Sequence, residues 1–129
     1  MKESSFRFIN YRVAKINVNI DDDFGKEPEG LNPNIQTSFG INEENPRLAE
    51  IVLNISISSE FELFQFDVQV KGIFEANPEM PEEMFEKMCE VNAPAILLPY
   101  VRSIITNYTA LCNIKPIILP LFNLTKNKE

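Results

Sequence analysis

Apolar and polar residues alternate along four stretches of this chain, and a fifth repeats its apolar positions every three or four residues. From Phe6 to Ile20 the alternation is continuous, but its apolar phase moves from Ile9, Tyr11 and Val13 to Ile16, Val18 and Ile20. A strand changes phase in this way only through a bulge or burial on both faces, so one long strand with an irregularity near Ala14 and Lys15 is expected. Asp21 to Asn34 has no period and is rich in Asp, Glu, Gly, Pro and Asn, which predicts a surface loop. A second strand is predicted over Ile35 to Ile41, with Ile35, Thr37, Phe39 and Ile41 on one side, ended by Asn42 to Pro46. The clearest alternation follows: Ile51, Leu53, Ile55 and Ile57 against Val52, Asn54, Ser56 and Ser58, then Phe64, Phe66, Val68 and Val70 against Gln65, Asp67, Gln69 and Lys71. The short link from Ser59 to Glu62 suits a hairpin. Four strands with one oily and one wet face imply an antiparallel sheet covered on one side.

After Gly72-Ile73-Phe74 the period changes. Pro81 followed by Glu82 and Glu83 reads as a helix start, with acids near the positive end of the helix dipole, and Met84, Phe85 and Met88 give it an inward face as far as about Glu90. Asn92 is then expected to cap a second helix, with Pro94 and Pro99 near its mouth, where proline is tolerated. In that helix Leu97, Val101, Ile104, Ile105, Tyr108 and Leu111 fall on one face, and Arg102, Ser103, Thr106 and Asn107 on the other. Lys115 to Phe122 is too punctuated by proline for a helix and reads as an extended apolar segment lying on the core, while Thr125 to Glu129 are expected to fray. The pattern is α+β: one domain over residues 1–129, a four-stranded antiparallel sheet with helices packed on one face.

Composition narrows the function more than the fold. A chain of 129 residues can bury one core without staples, and 12 basic against 19 acidic residues, a net charge of -7, argue against nucleic acid and anionic lipid as partners. Two cysteines and no histidine leave no metal cluster, so Cys89 and Cys112 read as small buried hydrophobes. Asp21-Asp22-Asp23 lacks the spacing of a calcium loop and reads as solvated charge. No phosphate loop or nucleophile elbow occurs, so an enzyme is not expected, nor any cofactor. Met1 to Arg7 lacks the apolar core of a signal peptide and no window is long enough to span a membrane, which points to a cytoplasmic protein with no membrane insertion. On that reading the glycosylation matches at Asn54, Asn107 and Asn123 are chance. Met80, Met84 and Met88 form a thioether stripe that reads first as core packing. The aromatics Phe39, Phe61, Phe64, Phe66 and Phe74 exceed what a four-stranded sheet needs, so part of that surface is expected to form a groove.

Gly72-Ile73-Phe74, a short helix, then Asn92-Ala93-Pro94-Ala95-Ile96-Leu97-Leu98-Pro99-Tyr100-Val101-Arg102 with Ile105-Thr106 after it, resembles the protein-export chaperone family SecB. Its members carry a GIF strand end followed by a P-x-I-L-x-P-Y-x-R helix, and the likeness covers most of the chain. The resemblance implies a four-stranded antiparallel sheet with helices on one side, assembled as a dimer or as a tetramer built of two dimers. It implies an ATP-independent holdase that binds unfolded polypeptides or preproteins in apolar grooves and passes them to the motor ATPase SecA. On the matching positions Phe39, Ile41, Leu98 and Tyr100 are the expected client contacts. Asp21 and Asp67 are the expected motor-docking acids, with Asn17 where a further acid belongs. Ending at Glu129, the sequence leaves out the long second helix and acidic tail of the export chaperone. That favours a short relative dedicated to one client, such as the antitoxin of a toxin-antitoxin pair, as the alternative to general export.

Overall fold

Alternation decides the strands. The computed structural model, which describes residues 6–25 and 30–119, has β1 at Phe6–Ile20, β2 at Asn32–Ile41, β3 at Leu48–Ser58 and β4 at Phe64–Ala76, followed by one long helix, α1, at Glu82–Ala110. The strands form one antiparallel sheet in the order β1-β4-β3-β2, so the two most regularly alternating strands lie in the middle. Ile51, Leu53, Ile55 and Ile57 of β3 and Phe64, Phe66, Val68, Val70 and Phe74 of β4 are all buried beneath α1.

The phase change in β1 takes two bulges. Partners run Phe8 with Phe74 and then Asn10 with Ile73, and again Val13 with Val70 and then Lys15 with Gln69, so Ile9 and Ala14 are each an extra residue. Each bulge flips the side chains that follow. The helix-side face of β1 therefore carries Phe6, Phe8, Tyr11, Val13, Ile16, Val18 and Ile20; the expected irregularity at Ala14 is present, and the one at Ile9 is an addition. Strand β2 starts three residues earlier than the alternation suggests. Its first residues, Asn32 and Pro33, are turn formers, but β2 is an edge strand, where a missing backbone donor is tolerated. The β3–β4 link is a single 3-10 turn at Glu60–Glu62 that leaves Phe61 exposed at its tip.

The expected break between two helices is absent: α1 runs through Asn92, Pro94 and Pro99 without interruption, so the described residues hold one helix. Pro94 and Pro99 remove the bonds that would reach the carbonyls of Glu90 and Ala95, at about 3 kcal/mol each. Full burial of Phe85, Leu97, Val101 and Ile105, at about 1.5–3 kcal/mol per side chain, more than offsets that. Packing thus overrides local propensity. Two inward assignments also change: Met84 is exposed, and Leu111, just past the helix end, is 84% exposed.

Buried residues on α1 recur every fourth position, at Phe85, Cys89, Ala93, Leu97, Val101, Ile105 and Thr109. Four residues turn a helix by about 400°, so this line advances about 40° per step and winds around the helix. Near its end it meets the C-terminal segment. Thr106 Oγ1 donates to the Ile117 carbonyl at 2.7 Å, the Ile117 N–H donates to Thr109 Oγ1 at 2.9 Å, and Arg102 Nε donates to the Leu119 carbonyl at 3.0 Å. Ile117 and Leu119 are buried and Ile118 is exposed, the alternation of an extended segment lying on the core. The rest of that expectation, Leu121 and Phe122 together with Asn123 and the fraying of Thr125 to Glu129, lies outside the described residues. Pro99 is exposed, so Pro99→Ala restores a helix hydrogen bond without opening the core; it is expected to stabilise the protein by about 1–3 kcal/mol, read as a rise in the urea midpoint at unchanged slope.

Candidate functional site

One row of residues across the sheet organises the helix-side surface. Tyr11 pairs with Gly72, Gly72 with Ile51, and Ile51 with Phe39, so the four lie on a single rung that crosses all four strands. Gly72 is where α1 comes down: a Cβ built there would stand 2.8 Å from a Leu97 Cδ, closer than van der Waals contact permits. A helix about 10 Å wide, centred on the middle strands, cannot roof outer strands about 14 Å apart. The two ends of the rung stay open on either side, with Tyr11 39% and Phe39 37% exposed.

On the β1 side the open surface is aromatic. The Tyr100 ring lies 4.7 Å from that of Tyr11 and 5.6 Å from that of Phe8, and Phe8 stacks on buried Phe74 at 5.1 Å. The chain of rings leads from the core to solvent. On the β2 side the floor is the row Ile35, Thr37, Phe39 and Ile41, all on the helix-side face, with Ile41 partly buried against the core. The whole of β2 lacks any charged residue. Leu98 lies four residues before Arg102, about 200° around the helix from Tyr100, hence on the β2 side and level with the Gly72 rung. It is 5% exposed, packed into the core rather than offered to solvent.

The structure therefore brings Phe39, Ile41 and Leu98 to one flank of α1 and puts Tyr100 on the other. Sequence reasoning missed Tyr11 and the role of Gly72. Tyr11 shares a face with Val13 in β1, and the bulge at Ala14 puts both on the helix side with Ile16 and Val18, while the bulge at Ile9 brings Phe8 to the same face. A shallow cleft of about 310 Å³ between α1 and the C-terminal segment, lined by Pro99, Arg102, Thr106 and Leu119 among others, opens on the β2 side of the helix.

The opposite face of the sheet is polar. Asp67 accepts from Ser56 Oγ and from Gln65 Nε2, and Gln69 Nε2 donates to Asn54 Oδ1 at 3.0 Å. Asp67 pairs directly with Asn17 across β1 and β4, and Asp21 follows two alternations after Asn17 on the same face. Asp21 is tied into the turn after β1: its N–H donates to the Leu63 carbonyl at 2.8 Å, and its Oδ1 accepts from the Asp23 N–H at 2.9 Å. The two acids share one end of the open face, remote from the apolar flanks.

Burial, and secondarily the Glu86 carboxylate, pushes the Cys89 thiol from the ordinary 9.0 up to about 12. Cys89 is 1% exposed, whereas Cys112 is partly accessible at the end of α1. A maleimide at pH 8 is expected to modify Cys112 alone in the native protein and both thiols in denaturant. Because the folded thiol holds its proton beyond the pH at which the unfolded one loses it, its contribution to stability is full below about pH 9 and falls as pH rises towards 12.

Comparison with known proteins bears on this arrangement. A family model described as preprotein translocase subunit SecB matches residues 18–126. An uncharacterized protein of Methanocaldococcus jannaschii is 32% identical over 124 residues, 92% of this chain and 79% of that one. The protein-export protein SecB of Anaplasma phagocytophilum is 30% identical over 87 residues, and that of Paramagnetospirillum magneticum 28% over 98; these cover 64% and 72% of this chain. The matches span 55% and 62% of those two SecB proteins, less than two thirds of their length. Among solved structures, the Mycobacterium tuberculosis Rv1957 SecB-like chaperone in complex with a ChAD peptide from the Rv1956 HigA1 antitoxin superposes with a TM-score of 0.75 at 10% identity, covering 92% of this chain and 88% of that one. A protein of unknown function from Streptococcus agalactiae superposes with a TM-score of 0.52 at 13% identity, covering 90% of this chain and 97% of that one. At such identities these two likenesses establish the shared fold alone. Among the described residues no helix is long and apolar enough to cross a membrane.

Proposed function

The chain belongs to the SecB family, and from that premise we propose that it is an ATP-independent holdase that captures unfolded polypeptides on the apolar flanks of α1. The observation that carries this reading is the rung Tyr11-Gly72-Ile51-Phe39: the helix settles on its glycine and leaves an aromatic side chain open at each end. Phe39 and Ile41 on an uncharged edge strand form the primary client site, and Tyr100 with Tyr11 and Phe8 a second apolar strip. Capture proceeds by burying client apolar side chains at about 25 cal/mol per Å², while the net charge of -7 keeps the loaded complex dispersed. No bond is made or broken, and no cofactor is required.

Export partners belong to the same reading. SecA would meet Asp21 and Asp67 on the polar face, away from the client, so that both could be held at once. Self-association into a dimer or tetramer would use sheet edges and the exposed side of α1, and mass measurement in solution reads it directly. Suppression of aggregation of a chemically denatured protein at equimolar protomer is the test of the holdase. No suppression at a several-fold excess overturns it.

A second reading, a SecB-like adaptor dedicated to one partner, is favoured by the solved neighbour that holds an antitoxin peptide. It predicts one co-purifying protein from the native cell and no affinity for unrelated unfolded chains.

A further inference from the structure

The polar face of the sheet carries three cations without a counter-charge. Arg12 on β1 stands directly opposite Lys71 on β4, and Lys15, the next outward position past the bulge at Ala14, stands opposite Gln69. Arg12 and Lys15 are exposed and Lys71 is half-buried. Like charges directly opposite on neighbouring strands repel, at a cost in stability. Among the described residues none of the three forms an ion pair. The carboxylates of the same face are engaged elsewhere: Glu75 takes Arg7 at 2.7 Å, and Asp67 accepts from Ser56 and Gln65. Glu50 stands one rung away, opposite Ile73, and so lies diagonal to Lys71. In a chain of net charge -7, three neighbouring cations run against the composition.

The surface around them fits an extended peptide. The Arg12–Lys71 rung continues through Val52 to Ser38, and the Lys15–Gln69 rung through Asn54 to Gln36, so beyond the cations both rungs are neutral. The two rungs are two residues apart on β4, a separation of about 6.6 Å. Alternate residues of an extended peptide have the same spacing, so carboxylates at positions i and i+2 meet both rungs together. A nucleic-acid strand long enough to bind would run on into Glu50 or Asp67 on this face, whereas a short peptide covers the cations alone.

We propose that Arg12, Lys15 and Lys71 form a second docking surface, for extended acidic peptide segments with carboxylates at alternate positions. This surface lies on the opposite face from the apolar flanks of α1, and its occupation does not depend on whether those flanks capture unfolded chains. The ligand's carboxylates supply the counter-charge that the fold withholds, so docking relieves the Arg12–Lys71 repulsion.

Fluorescence anisotropy of a fluorescein-labelled heptapeptide alternating serine and glutamate, titrated with the full chain at about 20 mM salt, tests the proposal. Saturable binding is expected, weakened at about 200 mM salt because exposed charges are screened. An exposed ion pair contributes about two- to fivefold in affinity, so Arg12→Gln/Lys71→Gln is expected to weaken binding about tenfold. The same double variant is expected to unfold at a urea midpoint no lower than that of the unaltered protein, since the repulsion is gone, which separates a lost site from a lost fold. Lys15→Gln, outside the repelling pair, is expected to lose about two- to fivefold and gives the same test should the double variant fail to fold. Absence of saturable binding at low salt overturns the proposal. Equal affinity for a heptapeptide alternating serine and lysine, or unchanged affinity in the variants, overturns it as well.

Discussion

Phe39→Asp is expected to abolish capture of unfolded chains while leaving the protein folded. The two effects separate because of where the side chain sits. Phe39 lies on an edge strand, 37% exposed, so an aspartate there keeps its carboxylate in water and costs the native state only part of one ring's burial. A client segment lying on β2 must instead strip water from that carboxylate, with no cation anywhere on the strand to pair with it. Leaving a charge so placed costs about 3 kcal/mol or more, over a hundredfold in affinity. Titration with a fluorescent unfolded probe, alongside circular dichroism of the variant, reads both effects. Unchanged affinity would move the client site off the β2 flank. Loss of the fold would make Phe39 a core residue.

Tyr100→Asp serves as the comparison, because Tyr100 stands on the other flank. If clients use the β2 flank alone, Tyr100→Asp lowers affinity little; if an extended client uses both, the two substitutions weaken binding together. The geometry that separates the flanks is the helix crest over Gly72, which no client crosses without passing over the outside of α1.

The strands were legible because their alternation reports burial on one face, and β3 and β4, the central pair, alternate without exception from Ile51 to Ile57 and from Phe64 to Val70. Their neighbours were harder. The early start of β2 was hidden by Asn32 and Pro33, residues that read as turn in isolation and are tolerated only because no strand pairs on the outer side. The unbroken α1 was hidden for the opposite reason. Pro94 and Pro99 announce a helix boundary locally, and burial of Leu97, Val101 and Ile105 on distant strands overrides them. Local signals fail where tertiary contacts decide.

The candidate site divides the same way. Phe39 and Ile41 were reachable, since alternation assigns them to the helix side and family likeness marks the strand. Tyr11 was legible as a helix-side position, since it shares the phase of Val13 ahead of the irregularity at Ala14, but nothing within β1 showed that α1 leaves it open beside Tyr100. Leu98 and Tyr100 sit two residues apart in one motif, yet helical geometry sends them to opposite flanks and packing buries one of them. Gly72 was visible as part of a motif, but its reason, the close approach of Leu97, belongs to the folded state.

That close approach makes Gly72 and Leu97 one energetic unit. Gly72→Ala is expected to destabilise by about 1–3 kcal/mol, since the new methyl would press on both Leu97 Cδ atoms and on the Phe74 ring edge, 2.8 to 3.1 Å away. Leu97→Ala, at a fully buried position, is expected to cost about 2–5 kcal/mol through lost burial and a cavity. In the double variant the methyl at 72 enters space vacated by the leucine. Its cost is therefore expected to fall short of the summed single costs by about 1–3 kcal/mol, the coupling of residues in direct contact. Urea midpoints at one fixed protomer concentration measure the cycle, because self-association would otherwise shift them. Strict additivity would mean that α1 does not rest on Gly72, and the two open ends of the rung would lose their common cause.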